Sequence, residues 1–336
     1  MSFLDNIKYN PEKQSATFEY RFGDDYGEQA KTFFSIYDHK SFLIITDATK
    51  SKLKPKKERI CRFCGKSSPV VTFKHKAHLI PQLLGNKNLL SDFECDICNR
   101  KFGGFENEFA NFIGLTRTLT SLTGKEGIPK FKSPNKDFSL WINDEYGVSY
   151  DEKEKNKNVI WDKDNNLLTI KTNGNPYNRL KVLKCLVKIG LSIIDNDEIK
   201  YFNESFNFLN NDKMEVFEHT LSSIHEYVIP GPFVNFPMIF SYKKKDGIRD
   251  NLIPTRAFVL YYRNNMIQFF IPFDKRDKLI NDKKDSIATV AILPPLADQK
   301  WIDKYAKPSS EIINLKRNSR EKTREEIVKI KLNNAL

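Results

Sequence analysis

The stretch CRFCGKSSPVVTFKHKAHLIPQLLGNKNLLSDFECDICNRKFGGFENEFANF, residues 61–112, carries the strongest chemical signature in this sequence of 336 residues. It contains two Cys-x-x-Cys pairs, Cys61 with Cys64 and Cys95 with Cys98, and only one cysteine lies elsewhere. Each pair can direct two thiolates at one ion, and four thiolates complete the tetrahedral shell of a structural Zn²⁺. The pattern therefore predicts a structural zinc site with four cysteine ligands. Disulfides or free buried thiols are the alternative, which the lysine-rich composition and the lack of an apolar leader disfavour.

The residues between and after the cysteine pairs predict two strands followed by a helix. β-branched and aromatic residues favour a strand over about 70–80 and a short second strand over 89–93, with a turn between them. A helix begins near Asp96, since an acidic residue suits the first helical turn. At about 100° per residue, Asn99 and Glu106 lie on one face of this helix, next to a face of phenylalanines.

The order of these motifs resembles a known family. Cys-x-x-Cys, then His-Leu-Ile-Pro with Leu-Gly after it, then Cys-x-x-Cys-Asn-x-x-Phe-Gly-x-x-Glu, is similar to a zinc-stapled HNH endonuclease over roughly residues 58–115. The resemblance implies a β-β-α-metal fold and hydrolysis of DNA phosphodiesters with one divalent metal ion.

The resemblance also implies roles for individual residues. His78 matches the general base, and Asn86 or Asn88 matches the central asparagine that holds the loop between the strands; we take Asn88 as the candidate. Asn99 stands where a metal ligand is expected, and Glu106 matches an acidic residue of this helix. A histidine with an ordinary pKa near ~6.5 can take a proton from water at neutral pH. Amide and carboxylate oxygens suit Mg²⁺ or Mn²⁺.

One position departs from the family pattern. The residue before the general base usually supplies a metal ligand, but here it is Ala77, which has no donor atom. His75 lies on the same strand face by two-residue alternation, and it is either a substitute ligand or, as we prefer, a phosphate contact or simply an exposed residue. The alternative is a zinc-ribbon DNA-binding protein whose degenerate site binds DNA without cutting it.

The charge of the chain favours a polyanionic partner such as DNA. The net charge is +12 and the isoelectric point is about 9.2. A basic stretch leads into the first cysteine pair, where it can neutralise phosphates without reading sequence. The predicted nucleic-acid contacts are Lys54, Lys56, Lys57, Arg59 and His75.

The predicted fold class is α+β, with the nuclease unit inside a larger chain that has an antiparallel sheet and a helical layer. The predicted parts are a β-rich N-terminal segment with the basic arm (1–57), the nuclease domain (58–115) and a C-terminal α+β region (116–336). The lack of a long apolar run predicts no membrane span, and we expect a cytoplasmic protein.

Periodicity predicts further elements outside the nuclease unit. They are strands at 16–22, 32–36, 41–46, 138–142, 158–161, 167–172, 233–242, 256–263 and 266–271, and helices at 178–196, 199–208 and 216–225. The N-terminal strands form either a small unit of their own or edge strands of the C-terminal sheet. Residues 311–331 mix both charges and predict a helix or a disordered tail. Cys185 falls within the apolar pattern of the first helix and is expected to be a core thiol.

The role of the C-terminal region is open at this stage. By resemblance alone, such a region serves recognition or regulation in a bacterial defence or restriction effector. It is also the place where a homodimer contact, or a partner or trigger, is expected to act.

Overall fold

The computed structural model describes residues 7–10, 15–124, 126–143, 147–153, 157–214, 220–282, 288–321 and 324–331. Its helices are α1 (Gly27–Ile36), α2 (Asp96–Ile113), α3 (Thr116–Leu119), α4 (Arg179–Ile193), α5 (Asn203–Asn210), α6 (Lys278–Asp282) and α7 (Gln299–Tyr305). Within the described ranges, no helix is both long enough and apolar enough to cross a membrane.

The strands alternate with these helices along the chain. They are β1 (Ile7–Asn10), β2 (Ser15–Phe18), β3 (Tyr37–Ile44), β4 (Ala77–His78), β5 (Leu90–Ser91), β6 (Phe131–Lys132), β7 (Phe138–Asn143), β8 (Gly147–Glu152), β9 (Val159–Asp162), β10 (Leu167–Asn173), β11 (Ser223–Val228), β12 (Val234–Lys244), β13 (Arg256–Arg263), β14 (Asn265–Phe269), β15 (Ser309–Asn314) and β16 (Glu325–Lys331). Their antiparallel pairing, together with the helices, confirms the predicted α+β class.

A six-stranded antiparallel sheet organises the chain, in the order β15-β11-β14-β13-β12-β3. Its central strand β13 is buried from Arg256 to Tyr262, so both faces of the sheet are covered. Strand β3 pairs with β12, with Ser41 opposite Ser241. Each of the two N-terminal alternatives is therefore observed in part: β1 and β2 form a two-stranded sheet of their own, whereas residues 37–44 form an edge of the C-terminal sheet.

Three predicted elements are corrected by the structure. Residues 32–36 lie in α1 and not in a strand, because Ala30 and Phe33 place one face of a helix against the sheet. The predicted helix at 216–225 is wrong where it can be compared, since residues 223–228 form β11, while 215–219 lie outside the described residues. The helix or tail predicted at 311–331 is also wrong, because β15 and β16 pair with β11 and β10.

Helix α4 joins the cysteine-rich segment to the large sheet. Asn178 caps it, as its Oδ1 accepts a hydrogen bond from the Lys181 amide. Twelve of its fifteen residues are buried, including the predicted core thiol Cys185. Gly190 allows close contact with the sheet, because a Cβ there would lie 2.9 Å from the Ile271 Cδ1.

One apolar core extends from α2 through α4 to the six-stranded sheet. It includes Phe102 and Phe109 of α2, Leu183 and Val187 of α4, and Leu260 of the large sheet. Burial therefore continues without interruption from the cysteine-rich segment into the C-terminal region. Two smaller sheets, β6-β7-β8 and β16-β10-β9, enclose a separate apolar cluster beside α3.

Candidate metal centre and candidate active site

The four cysteines of the two Cys-x-x-Cys pairs form one compact cluster. Their sulfur atoms all lie within 4.8 Å of one another, and the Cys64 and Cys95 sulfurs are 3.8 Å apart. A tetrahedron with Zn–S bonds of ~2.3 Å has edges of roughly 3.8 Å, so the arrangement fits zinc. The first turn is closed by the Gly65 amide, which donates to the Cys61 carbonyl at 2.8 Å. The cluster can therefore hold a structural zinc ion.

The acidity of the thiols shows why a cation suits this cluster. A hydrogen bond from Cys98 lowers the pKa of Cys61 to about 5. The same shared proton raises the pKa of Cys98, and burial raises the pKa of Cys95 to about 11. One thiolate is thus favoured at the expense of its neighbours, and a bound cation is what would allow all four to ionise.

The hairpin after the first cysteine pair is shorter than predicted. Only Ala77–His78 and Leu90–Ser91 pair as strands, in contrast to the expected spans 70–80 and 89–93. The preceding chain folds over the start of α2 instead, because the Asp96 carboxylate accepts hydrogen bonds from the Thr72 hydroxyl and from the amides of residues 74 and 75. The prediction that α2 begins near Asp96 is confirmed.

Asn86 holds the loop between the two short strands. Its side chain is fully buried, donates to the carbonyls of Ile80 at 2.7 Å and Leu89 at 2.9 Å, and accepts from the Leu89 amide at 2.9 Å. Asn88, the candidate from the sequence, is exposed and donates to the Asp47 carbonyl at 3.0 Å. The structure therefore places Asn86, and not Asn88, in the loop-holding position. Asn86 can hold the loop because its buried side chain forms hydrogen bonds with both the carbonyl and the amide of Leu89.

His78 lies on β4 with a half-buried ring. Among the described residues, its buried Nδ1 has no hydrogen-bond partner. Burial, together with the charges of Lys188 and Lys76, lowers the pKa of His78 to about 4. The imidazole is therefore neutral at physiological pH, which is the state that can accept a proton.

A buried charged group lies behind His78, and sequence reasoning missed it. Lys188 of α4 is ion-paired with Glu94 at 3.1 Å, and both side chains are 1% exposed. The Lys188 Nζ also donates to the His78 carbonyl at 2.6 Å. Burial raises the pKa of Glu94 to about 7, against the opposing effect of Lys188. The only signal in the sequence was a lysine inside the apolar run of α4.

Helix α2 presents the two faces that its periodicity predicts. Phe102, Phe105 and Phe109 are buried, whereas Asn99 and Glu106 are half-buried. Burial raises the pKa of the Glu106 carboxyl, and the charge of Lys188 opposes that rise. Lys188 thus acts electrostatically on both His78 and Glu106, which lie around it.

The predicted nucleic-acid contacts divide into two groups. Lys54, Lys56 and Lys57, which we call the basic arm, are exposed, and so is His75. Arg59 does not fit this role, because it is 9% exposed and its Nε donates to the Lys54 carbonyl at 2.8 Å. Arg59 therefore contacts the main chain of the basic arm, whereas the three lysine side chains of the arm are exposed to solvent.

The site combines a thiolate cluster suited to zinc, a two-strand hairpin with a neutral histidine, and a helix with an amide and a carboxylate. These features lie together in one small unit that is built on the four-cysteine cluster, the β4–β5 hairpin and α2. Residues 61–111 match the model of the HNH endonuclease family, a match that covers 51 of the 336 residues. Comparison with curated proteins and with solved structures gives no match.

Proposed function

We propose that this protein is a metal-dependent endonuclease that hydrolyses DNA phosphodiester bonds, with His78 as the general base. The observation that carries the proposal is a neutral, half-buried histidine on the short hairpin of a segment that matches the HNH endonuclease family. General-base catalysis by a positioned histidine typically contributes a factor of ~10² to 10⁴ in rate.

In this proposal, each residue of the site has a defined task. His78 takes a proton from the attacking water, and Asn86 keeps the loop that carries His78 in place. Asn99 and Glu106 supply oxygen ligands for Mg²⁺ or Mn²⁺, and such an ion supplies charge stabilisation at the phosphate and the leaving oxygen. Their partial burial on one helix face fits this donor role. The four-cysteine cluster holds zinc as a structural staple.

The partner in this proposal is DNA, approached through the basic arm and His75. The arm is exposed and adjoins the cysteine-rich segment, so it can bind backbone phosphates on a path to the site. A defence or restriction role, and a homodimer contact or trigger acting through residues 116–336, stay parts of this proposal that rest on resemblance, and a cytoplasmic location stays an expectation from the sequence.

A second candidate function is a DNA-binding protein with a non-cleaving site. The specific observation in its favour is Ala77, which stands where a ligand is expected and is 2% exposed. A buried alanine has no donor atom, and the neighbouring His75 is exposed and thus outside that buried position. This candidate would bind DNA with a steep salt dependence and never nick it.

Cleavage of supercoiled plasmid tests the two candidates directly. The full chain is incubated with Mg²⁺, with Mn²⁺ or with EDTA, beside His78→Ala and, as a matched control, His39→Ala on β3. We expect metal-dependent nicking that His39→Ala retains and His78→Ala reduces by at least ~10². Cleavage by His78→Ala at the rate of the unaltered chain would refute the general base. Salt-sensitive binding without nicking under every condition would select the second candidate.

A further inference from the structure

We propose that Lys188, which lies outside the segment that matches the HNH family, is a positioning residue of the nuclease site and fixes the main chain that carries His78. Region 116–336 thereby completes the site. This inference rests on the proposed nuclease function, because Lys188 can be a positioning residue only if His78 is catalytic.

The geometry gives Lys188 a specific target. Its Nζ donates to the His78 carbonyl at 2.6 Å and lies 3.5 Å from the Leu79 carbonyl. Strand β4 has only two residues, so few ladder hydrogen bonds hold His78. Two residues further on, the Ile80 carbonyl is held by Asn86. The chain from residue 78 to residue 80 is therefore fixed by one side chain of its own loop and by one from α4.

Packing alone does not account for a charge at this position. Most buried residues of α4 are apolar, among them Leu183, Val187 and Leu191, while Lys184 and Ser192 are buried polar residues that each donate to a carbonyl. Replacement of a buried ion pair by apolar residues of similar volume is often neutral or stabilising. A Lys188–Glu94 pair that only filled space would thus gain nothing over an apolar pair, whereas its ammonium makes a contact that no apolar side chain can make.

The charge of Lys188 also acts on the histidine whose main chain it contacts. The charged groups that act on His78 are Lys188 from α4 and Lys76 from the preceding loop. Both oppose protonation of the ring, and burial acts in the same direction by lowering the pKa. On the other side, Lys188 faces Glu94, Glu106 and Cys185. The charge of Lys188 therefore keeps the ring neutral before the reaction but disfavours the imidazolium that proton transfer would form, so the contribution of Lys188 to the site is its contact with the His78 carbonyl.

The decisive variant removes both members of the ion pair. Lys188→Met/Glu94→Gln leaves neither member of the ion pair without its partner, so loss of the contact with His78 is separated from loss of balance within the pair, while Glu106 also loses the charge of Lys188. Lys184→Met is the matched control, because Lys184 is also buried on α4, one turn earlier, and donates to a carbonyl, that of Asn211 at 2.8 Å. Melting temperature and bound zinc report whether each chain is folded.

We expect the double variant to lose about 10²-fold in plasmid cleavage, the size of effect that a ~1 Å misplacement can have, with Lys184→Met within about twofold of the unaltered chain. Cleavage by a folded, zinc-loaded double variant at the control rate would overturn the proposal.

The titration of the His78 ring, followed by NMR, gives a readout that needs no cleavage. His78→Ala assigns the signal among the five histidines. In the unaltered chain the His78 ring should stay neutral at about pH 5. The pKa of the ring should rise in the double variant. A pKa near the ordinary ~6.5 in the unaltered chain would overturn the proposal even if the double variant did not fold. A His78 pKa that rises in the folded double variant, in a protein that cuts no DNA, would retain the contact with Lys188 and refute the nuclease.

Discussion

Asn86→Ala is the substitution that tests most sharply how the hairpin is held. The side chain makes three hydrogen bonds inside a fully buried loop, two to carbonyls and one to an amide. Each buried hydrogen bond contributes about 1 kcal/mol net, and removal of one partner leaves the other unpaired. We therefore expect a loss of roughly 3 kcal/mol in unfolding free energy and a fall of roughly 5 °C in melting temperature.

Asn88→Ala is the matched control, since it removes the same side chain two residues away. Asn88 is exposed and makes a single hydrogen bond, to the Asp47 carbonyl, so the expected loss is within about 0.5 kcal/mol. Thermal unfolding and plasmid cleavage are measured on both variants. Asn86→Ala should also lower cleavage by at least ~10-fold, because the loop it holds carries His78. A larger loss from Asn88→Ala than from Asn86→Ala, in stability or in cleavage, would refute this reasoning.

Three further predictions concern pH, zinc and DNA. Because the pKa of His78 is lowered to about 4, its neutral form persists as pH falls, and the acid limb of the cleavage profile should lie near pH 4 to 5; a limb near the ordinary ~6.5 would contradict the observed burial. Cys98→Ser should reduce bound zinc, measured after dialysis, from about one ion per chain and lower the melting temperature, whereas equal zinc in both proteins would exclude this cysteine as a ligand. Replacement of the three lysines of the basic arm by glutamine should weaken DNA binding for all sequences and reduce the log–log salt slope by about 3, and an unchanged slope would remove the arm from the interface.

The sequence was sufficient where chemistry is local. The phenylalanine spacing of α2 predicted its buried face, because it depends on residues a few positions apart. The two Cys-x-x-Cys pairs predicted one four-sulfur cluster although they lie 31 residues apart, because each pair is local and a tetrahedral zinc ion needs both. The family resemblance was confirmed for the same stretch. The roles of His78, Asn99 and Glu106 stay predictions that the cleavage assay tests.

Long-range contacts account for what the sequence did not reveal. Asn86 and Asn88 have the same side chain in the same turn, and only burial by the folded loop distinguishes them. Lys188 is 110 positions from His78, so no local pattern could connect them. Residues 70–76 have the composition of a strand, yet hydrogen bonds to the Asp96 carboxylate draw 72–75 over the start of α2.

Strand β3 is synthesised long before β12, the strand with which it pairs. Ser41 faces Ser241, so an edge strand made early has no partner until two hundred further residues have left the ribosome. At roughly 5 to 20 residues per second, this interval is about 10 to 40 s. During that time the nascent chain exposes a strand that includes Phe42 and Leu43, and unpaired strands of this kind are templates for aggregation. Chains interrupted before β12 should therefore aggregate through this strand, and chaperones that bind extended apolar segments should favour full-length folding.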